Sequence, residues 1–196
     1  MENKKNENNG KWGTKWYVPA IVARGDEFTV VMGYSAVSYS NTRLITFGLS
    51  TCVGLAVTSN NFAFLAHLDM SGMIGFSFDR ESPKCIATEQ LMDEIRERKE
   101  QITQPLNIQL IFGHHKSWTV SMNQEQMNLL YSGLDDVCRL CQKLGITVNR
   151  IPDGISSKVT VDSEDGIILF DRDNEYIDIP KEAMKLTEKR PIGKKR

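Results

Sequence analysis

Two seven-residue apolar runs, separated by a short polar reversal, constrain the fold of this chain most strongly. The runs cover residues 52–58 and 62–68, and Ser59, Asn60 and Asn61 lie between them. Runs rich in β-branched and aromatic residues favour strands, and a short polar loop joins antiparallel neighbours. The segment therefore predicts a β-hairpin.

The loop of this hairpin decides which residues of the two strands face each other. If Ser59 and Asn60 form the loop, Cys52 lies directly opposite His67, with Cβ atoms about 4.5–5.5 Å apart. If Asn60 and Asn61 form it, Cys52 and His67 become diagonal neighbours on the same face and stay within reach of each other. A three-residue loop places them on opposite faces, so the contact depends on register.

A cysteine beside a histidine has the residue types that nucleophilic catalysis needs. The imidazole of His67 can take the proton of the Cys52 thiol, and a third group holds the imidazole in one tautomer. Thr46, six residues before the cysteine on the preceding strand, is a candidate for that group. The glycine-containing turn before the cysteine, Gly48-Leu49-Ser50-Thr51, offers backbone N–H groups at Ser50 and Thr51 to an oxyanion. Taken alone, such a pair is more often part of a hydrophobic core.

The remaining pattern predicts six further strands and two helices. One helix is expected to begin at Thr88 as its N-cap, and the second to cover 123–144 with Gly145 at C′. Asp165-Gly166 predicts a tight hairpin near the C-terminal end. Eight strands and two helices without a repeat predict an α/β fold, with a mixed or antiparallel β-sandwich core and the helices packed outside. The further strands are expected at 28–32, 43–47, 108–112, 147–151, 158–162 and 167–171.

Length and composition limit the domain organisation and the partners. The 196 residues predict one catalytic domain at 16–180, a disordered polar arm at 1–15 and a basic tail at 181–196. With 24 Lys and Arg against 25 Asp and Glu, the net charge of -1 gives no reason to expect nucleic acid. No apolar run is long enough for membrane insertion. Four cysteines are too few for a disulfide framework. We expect a cytoplasmic protein, or one delivered by a non-Sec route into the cytosol of a target cell.

A family resemblance rests on the string I-T-F-G-L-S-T-C-V-G-L-A-V at 45–57. It resembles the signature of the CheD family of receptor-modifying glutamine deamidases, which has a threonine, a glycine-rich turn, Ser-Cys-Val and then a strand. In that family a histidine ends the next strand, as in Leu65-Ala66-His67 here. The segments 31–37, 107–113 and 140–171 are similar to other parts of CheD proteins, so the resemblance covers roughly 28–171.

The resemblance implies a CheD-like deamidase fold and a cysteine-dependent protein glutamine deamidase. The catalytic threonine, cysteine and histidine of the family fall on Thr46, Cys52 and His67. The implied partner is a protein substrate with an accessible glutamine, and the chemistry needs no metal or organic cofactor. Cytotoxic necrotizing factor catalytic domains, Burkholderia lethal factor and the protein N-terminal asparagine amidohydrolase share this architecture. An N-terminal amide amidohydrolase and a non-catalytic protein-binding module remain alternatives.

The chain differs from the family pattern in three places. Ser50-Thr51 stands where CheD proteins have Gly-Ser, His114-His115 where they have Gly-Gly, and Lys158 where they have arginine. The differences fall in the substrate-facing loops, so His114 and His115 are candidates for substrate contact. They have no acidic or thiol partner at ligand spacing, and no metal site is predicted.

Two further features are a pair of cysteines in the second helix and an acidic residue close to His67. Cys138 and Cys141 form a C-x-x-C late in the second helix, where core packing is expected because redox pairs sit at a helix N-terminus. Asp69, two residues after His67, points to the same strand face. It is therefore a second candidate to support the imidazole.

Overall fold

The computed structural model describes most of the chain between residues 19 and 170, in the ranges 19–70, 76–77, 83–102, 104–113 and 124–170. Within these ranges the chain has a mixed α/β fold, with a core built mainly of strands and two α-helices. The predicted arm at 1–15 and the tail at 181–196 lie outside the described residues.

Within the described ranges, eight strands precede the first helix, one strand lies between the two helices, and four strands follow the second helix. The strands are β1 (Ile21–Val22), β2 (Glu27–Thr29), β3 (Ser35–Ser38), β4 (Arg43–Phe47), β5 (Val53–Ser59), β6 (Phe62–Leu68), β7 (Phe76–Ser77), β8 (Lys84–Cys85), β9 (Leu106–Phe112), β10 (Val148–Arg150), β11 (Gly154–Ile155), β12 (Lys158–Asp162) and β13 (Gly166–Phe170). The helices are α1 (Ile86–Arg98), followed by a short 3-10 turn (Lys99–Gln101), and α2 (Gln124–Leu144).

The strands form two large sheets and one small pair. The larger sheet has the order β1-β3-β6-β5-β9-β10, with β11 also paired to β9. Its central pairs are antiparallel, while β1 with β3 and β9 with β10 are parallel. The second sheet has the order β13-β12-β4-β2, and β7 pairs with β8. The sheets are therefore mixed, as the sequence predicts.

Alternate residues of β5 and β6 belong to two separate apolar cores. Leu55 and Phe64 pack with residues of both helices, whereas Ala56 and Leu65 pack with Val159 and its neighbours in the second sheet. The larger sheet is thus the middle layer, with the second sheet on one face and the helices on the other. All residues of β5 and β6 are buried because both faces of these strands are covered.

The C-terminal hairpin forms where the sequence predicts a tight turn. Asp162 pairs with Gly166, whose φ of 84° is the positive value expected of glycine in such a turn. The Asp162 carboxylate accepts hydrogen bonds from the N–H groups of Glu164 at 2.6 Å and Asp165 at 2.9 Å. These bonds, together with charge pairing to Arg43, lower the pKa of Asp162 against the effect of its burial.

The helices differ from the prediction at one end only. The expectation that Thr88 is the N-cap of α1 is wrong: the cap is Cys85, and the Thr88 hydroxyl donates to the Cys85 carbonyl at 2.9 Å from inside the first turn. The glycine at C′ of α2 is confirmed. Gly145 has a φ of 74° and donates to Gln142, and Ile146 donates to Cys141, which is the Schellman pattern.

Neither helix has the character of a membrane span. Within the described residues, no helix combines the length and the apolar composition needed to cross a bilayer.

Candidate active site

The hairpin of β5 and β6 places Cys52 and His67 on one face through the second of the predicted registers. Ser59 pairs with Phe62 and Gly54 pairs with His67, so Asn60 and Asn61 form the loop. Direct opposition of Cys52 and His67 is therefore wrong, and the two are diagonal neighbours. Asn61, the second residue of the loop, has a φ of 51°, a conformation that Asn tolerates better than most other residues.

His67 is fixed by hydrogen bonds from its main chain and its ring. Its N–H donates to the Tyr34 carbonyl at 3.0 Å, and its carbonyl accepts from Gly33 N–H at 2.6 Å. Its ring Nδ1 lies 2.8 Å from the Thr46 Oγ1. The predicted partnership of Thr46 with His67 is present in the structure as a hydrogen bond between buried side chains.

The same threonine decides the tautomer of the imidazole. Thr46 Oγ1 donates its one proton to the Val30 carbonyl at 2.7 Å, so it can only accept from His67. Nδ1 must therefore carry the ring proton, and Nε2 is left as an acceptor. The Thr46 hydroxyl donates to a backbone carbonyl and accepts from the imidazole. These two bonds hold the ring in the tautomer that a general base needs.

The Nε2 atom of His67 has no hydrogen-bond partner among the described residues, although the side chain is only 4% exposed. A buried polar atom without a partner costs free energy and is rarely kept without a reason. Burial lowers the pKa of His67 from 6.5 to about 4, while the negative charge of Asp69 opposes the shift. The ring is therefore neutral near pH 7, with an unused lone pair on Nε2.

Cys52 lies immediately before β5 and is also 4% exposed. The pKa of its thiol is raised from 9.0 to about 11, mainly by burial and also by the negative charge of Asp69, while the Thr51 side chain and the Met70 backbone act in the opposite direction. The sulfur makes no hydrogen bond to the His67 ring, whose Nε2 has no partner in the described chain. Instead the Sγ atom lies 3.7 Å from the Met32 Sδ. The resting pair is a neutral thiol and a neutral imidazole.

The turn before Cys52 is held against the end of β9. Gly48 has a φ of 75°, and Cys52 N–H donates to the Leu49 carbonyl at 3.3 Å. Gly113 N–H in turn donates to the Cys52 carbonyl at 3.3 Å, and a Cβ built on Gly113 would lie 1.3 Å from the Leu49 oxygen. Only glycine therefore allows this close approach.

The predicted oxyanion donors lie on this turn. Ser50 is exposed and Thr51 is half-buried, and neither N–H donates to a backbone carbonyl of the described residues. The Cys52 N–H is engaged at long distance with Leu49. The N–H groups of Ser50 and Thr51 therefore have no backbone acceptor in the described chain, as an oxyanion-binding turn requires.

Other predicted residues fall in three different places. His114 and His115 lie outside the described residues, directly after Gly113 in the sequence. Cys141, on α2, is buried in the apolar core, as expected, while Cys138 is half-buried. All four cysteines are free, and no group of three His, Cys, Asp or Glu side chains suited to hold a metal occurs in the described ranges.

Sequence reasoning misses two contributors to the site. The Val30 carbonyl sets the proton position on Thr46, and the Met32 side chain contacts the Cys52 sulfur. Both belong to the segment between β2 and β3, where the predicted strand 28–32 is shorter in the structure and gives way to a turn at Gly33, which has a φ of 81°. The one available signal was this glycine, because a turn there brings its neighbours to the strand carrying His67.

No protein-family model matches the chain, and a search of curated proteins finds no significant match.

Proposed function

We propose that the protein is a cysteine-dependent amidohydrolase that converts the side-chain carboxamide of a protein-borne glutamine to a carboxylate. The observation that carries the proposal is the path from the Val30 carbonyl through Thr46 to Nδ1 of His67, which leaves Nε2 as a buried acceptor on the face that bears Cys52. A histidine that only filled the core would have no need of an unpaired ring nitrogen.

The two pKa values determine when the thiol is activated. Burial opposes both a thiolate at Cys52 and an imidazolium at His67, so neither charge forms alone near neutral pH. Proton transfer from sulfur to Nε2 requires the thiol to turn from Met32 towards the ring, because the two atoms share no hydrogen bond in the free protein. The transfer creates two opposite charges close together, and their attraction offsets the burial cost. We infer that the transfer accompanies attack on the bound carboxamide.

The reaction then balances in two halves. The sulfur forms a bond to the carboxamide carbon while Nε2 takes the thiol proton, and the turn N–H groups of Ser50 and Thr51 stabilise the oxyanion. His67 gives that proton to the departing nitrogen, ammonia leaves, and a thioester remains. His67 next takes a proton from water as the hydroxide attacks the thioester, and returns it to the sulfur, releasing the carboxylate. No metal or organic cofactor takes part in these steps.

The choice of glutamine and of a protein substrate rests on the CheD-like motif order around Thr46, Cys52 and His67. On this proposal the protein acts in the cytoplasm or in the cytosol of a target cell. An N-terminal amide amidohydrolase would use the same chemistry but would require a free α-amine, so blocking the substrate amine separates the two activities. A protein-binding module on the same scaffold would need neither the thiol nor the imidazole.

The test is a survey of cell lysate incubated with the protein in water enriched in heavy oxygen. Mass spectrometry should find glutamine residues converted to glutamate that carries the heavy oxygen, because water supplies the new carboxylate oxygen. Cys52→Ala should give none, while Cys138→Ser is the matched control and should keep full conversion. Heavy-oxygen glutamate that appears equally with Cys52→Ala would refute the proposal.

A further inference from the structure

Met32 occupies the corner of a tight turn beside the candidate nucleophile. Tyr34 N–H donates to the Val31 carbonyl at 3.1 Å across four residues, and Gly33 has a φ of 81°. A positive φ at the third position of such a turn is typical of glycine. The turn therefore directs Met32 outward at a defined point of the main chain.

The main chain around Met32 is hydrogen-bonded to His67, which carries the imidazole, and to Thr46, which orients it. Gly33 N–H donates to the His67 carbonyl at 2.6 Å, and His67 N–H donates to the Tyr34 carbonyl at 3.0 Å. On the other side, the Val30 carbonyl accepts from the Thr46 hydroxyl. These bonds fix the backbone of Met32 relative to the site.

The Met32 side chain contacts the buried thiol and is itself exposed to solvent. Its Sδ is 3.7 Å from the Cys52 Sγ, yet the residue is 46% exposed, whereas Cys52 is 4% exposed. A methionine has three rotatable side-chain bonds and a polarisable thioether, so it adapts to different apolar neighbours. The side chain can therefore uncover the sulfur without any change in the backbone.

We propose that Met32 is a specificity-determining residue that covers the Cys52 thiol in the free protein and packs against the methylene stem of the substrate side chain after moving aside. The second half rests on the proposed function. A carboxamide at the Cys52 sulfur places the two methylene groups of glutamine next to the turn that bears Met32. Asparagine, with one methylene group fewer, brings less apolar surface to the same contact.

The covering role is tested by the rate at which iodoacetamide alkylates Cys52, followed by peptide mass spectrometry. Met32→Ala should accelerate alkylation by about tenfold, because the sulfur becomes accessible. Met32→Leu should stay within about twofold of the wild type, since leucine restores most of the cover. Val22→Ala is the matched control, because Val22 is 51% exposed in an edge strand, and its rate should not change. An unchanged rate in Met32→Ala, or an equal rise in Val22→Ala, would overturn the proposal.

The substrate role is tested with two capped tripeptides that have glutamine or asparagine at the centre and no other primary amide. For the glutamine peptide, Met32→Ala should raise KM by about tenfold with little change in kcat, and Met32→Leu should restore KM. The preference for glutamine over asparagine should fall in Met32→Ala. An unchanged KM and preference would overturn the substrate role. Faster alkylation of Met32→Ala, with no ammonia from either peptide in the wild type and no heavy-oxygen glutamate in the lysate survey, would refute the proposed function and leave the covering role standing.

Discussion

The hydroxyl of Thr46 has a single proton, and its hydrogen bonds fix the direction of that proton. Because that proton is donated to the Val30 carbonyl, the ring of His67 must donate from Nδ1 and accept at Nε2. The base is thereby set in the tautomer needed to accept a thiol proton. A thiol with a pKa of about 11 beside it stays protonated in the free protein, which keeps the nucleophile unreactive until a substrate arrives.

Thr46→Val removes the hydroxyl and keeps the shape of the side chain. We expect kcat for ammonia release to fall by about ten- to a hundredfold, because Nδ1 loses its acceptor and the ring loses its fixed tautomer. Stability should fall by about 1–3 kcal/mol, since the buried Val30 carbonyl also loses a donor. Thr46→Ser is the control and should keep both activity and the tautomer seen by ¹⁵N NMR of His67. A fully active Thr46→Val would show that Asp69 or another group orients the ring.

Asp69→Asn removes a negative charge that acts on both residues of the pair. Since Asp69 raises the pKa of Cys52, its neutralisation should lower that pKa and speed alkylation by iodoacetamide at pH 8 by about three- to tenfold. The pKa of His67 should fall further, because Asp69 also raises it. The pH–rate profile of alkylation is the measurement, with exposed Asp26→Asn as the control. A profile shifted to higher pH would contradict this electrostatic account.

At the scale of elements, the site is made where the end of β9 meets the turn before β5. Gly113 allows Leu49 to approach, and the Cys52 carbonyl accepts from Gly113 N–H. The site is thus built from three strands: the turn before β5 and the end of β9 position Cys52, and β6 carries His67. A shift of the turn would misplace the nucleophile without touching any reacting atom.

Gly113→Ala should push this turn away, because the added Cβ would overlap the Leu49 carbonyl oxygen. We expect a stability loss of about 1–3 kcal/mol and a loss of activity of about a hundredfold. Gly25→Ala is the control: Gly25 also matters for its backbone, with a φ of 90°, but a Cβ there meets no atom within 4 Å. It should cost stability and leave kcat unchanged. Equal loss of activity in both variants would mean that the turn does not position the sulfur.

Sequence patterns predict some of these elements and not others. The hairpin of β5 and β6 is predictable from its apolar runs, and the Schellman end of α2 from Gly145. The choice between two loop registers is not, because Ser59-Asn60 and Asn60-Asn61 both satisfy the polar pattern and only the backbone conformation at Asn61 separates them. The short strand β3 was missed because its sequence, Ser-Ala-Val-Ser, is buried on both faces and shows no alternation.

At the scale of the whole molecule, the site lies in the core between the two sheets. Cys52 belongs to the same apolar cluster as Leu49 and residues of β12, while both helices cover the opposite face of the larger sheet. The sequence predicts the layers from strand and helix counts. It does not predict that Val30 and Met32 meet Thr46 and Cys52, since those contacts join segments distant in the chain and depend on how the sheets stack.

Burial of titratable groups in this core makes stability depend on pH on both sides of neutrality. His67 has a folded-state pKa of about 4 against 6.5, so the unfolded chain binds more protons between these values and stability falls as pH drops from 6.5 to 4. Cys52, Cys85 and Cys141 have pKa values of about 11 against 9.0, so the folded chain binds more protons and stability falls as pH rises from 9 to 11.

Thermal unfolding followed by circular dichroism from pH 4 to pH 11 should therefore give the highest Tm between about pH 6.5 and 9. His67→Gln should flatten the acid side of the curve and leave the alkaline side unchanged. An acid side as steep in His67→Gln as in the wild type would show that His67 is not the buried neutral group described above.

The central claim is that Cys52 and His67 act as one catalytic unit on a carboxamide. The most direct measurement is the kcat for ammonia release by Cys52→Ala, His67→Ala and the double variant, with Cys138→Ser as control and circular dichroism to check folding. If the two residues form a unit, each single variant should lose as much activity as the double variant, by a factor of about 10⁴ or more, and Cys138→Ser should lose none. Activity retained by Cys52→Ala, or losses that multiply in the double variant, would contradict the account.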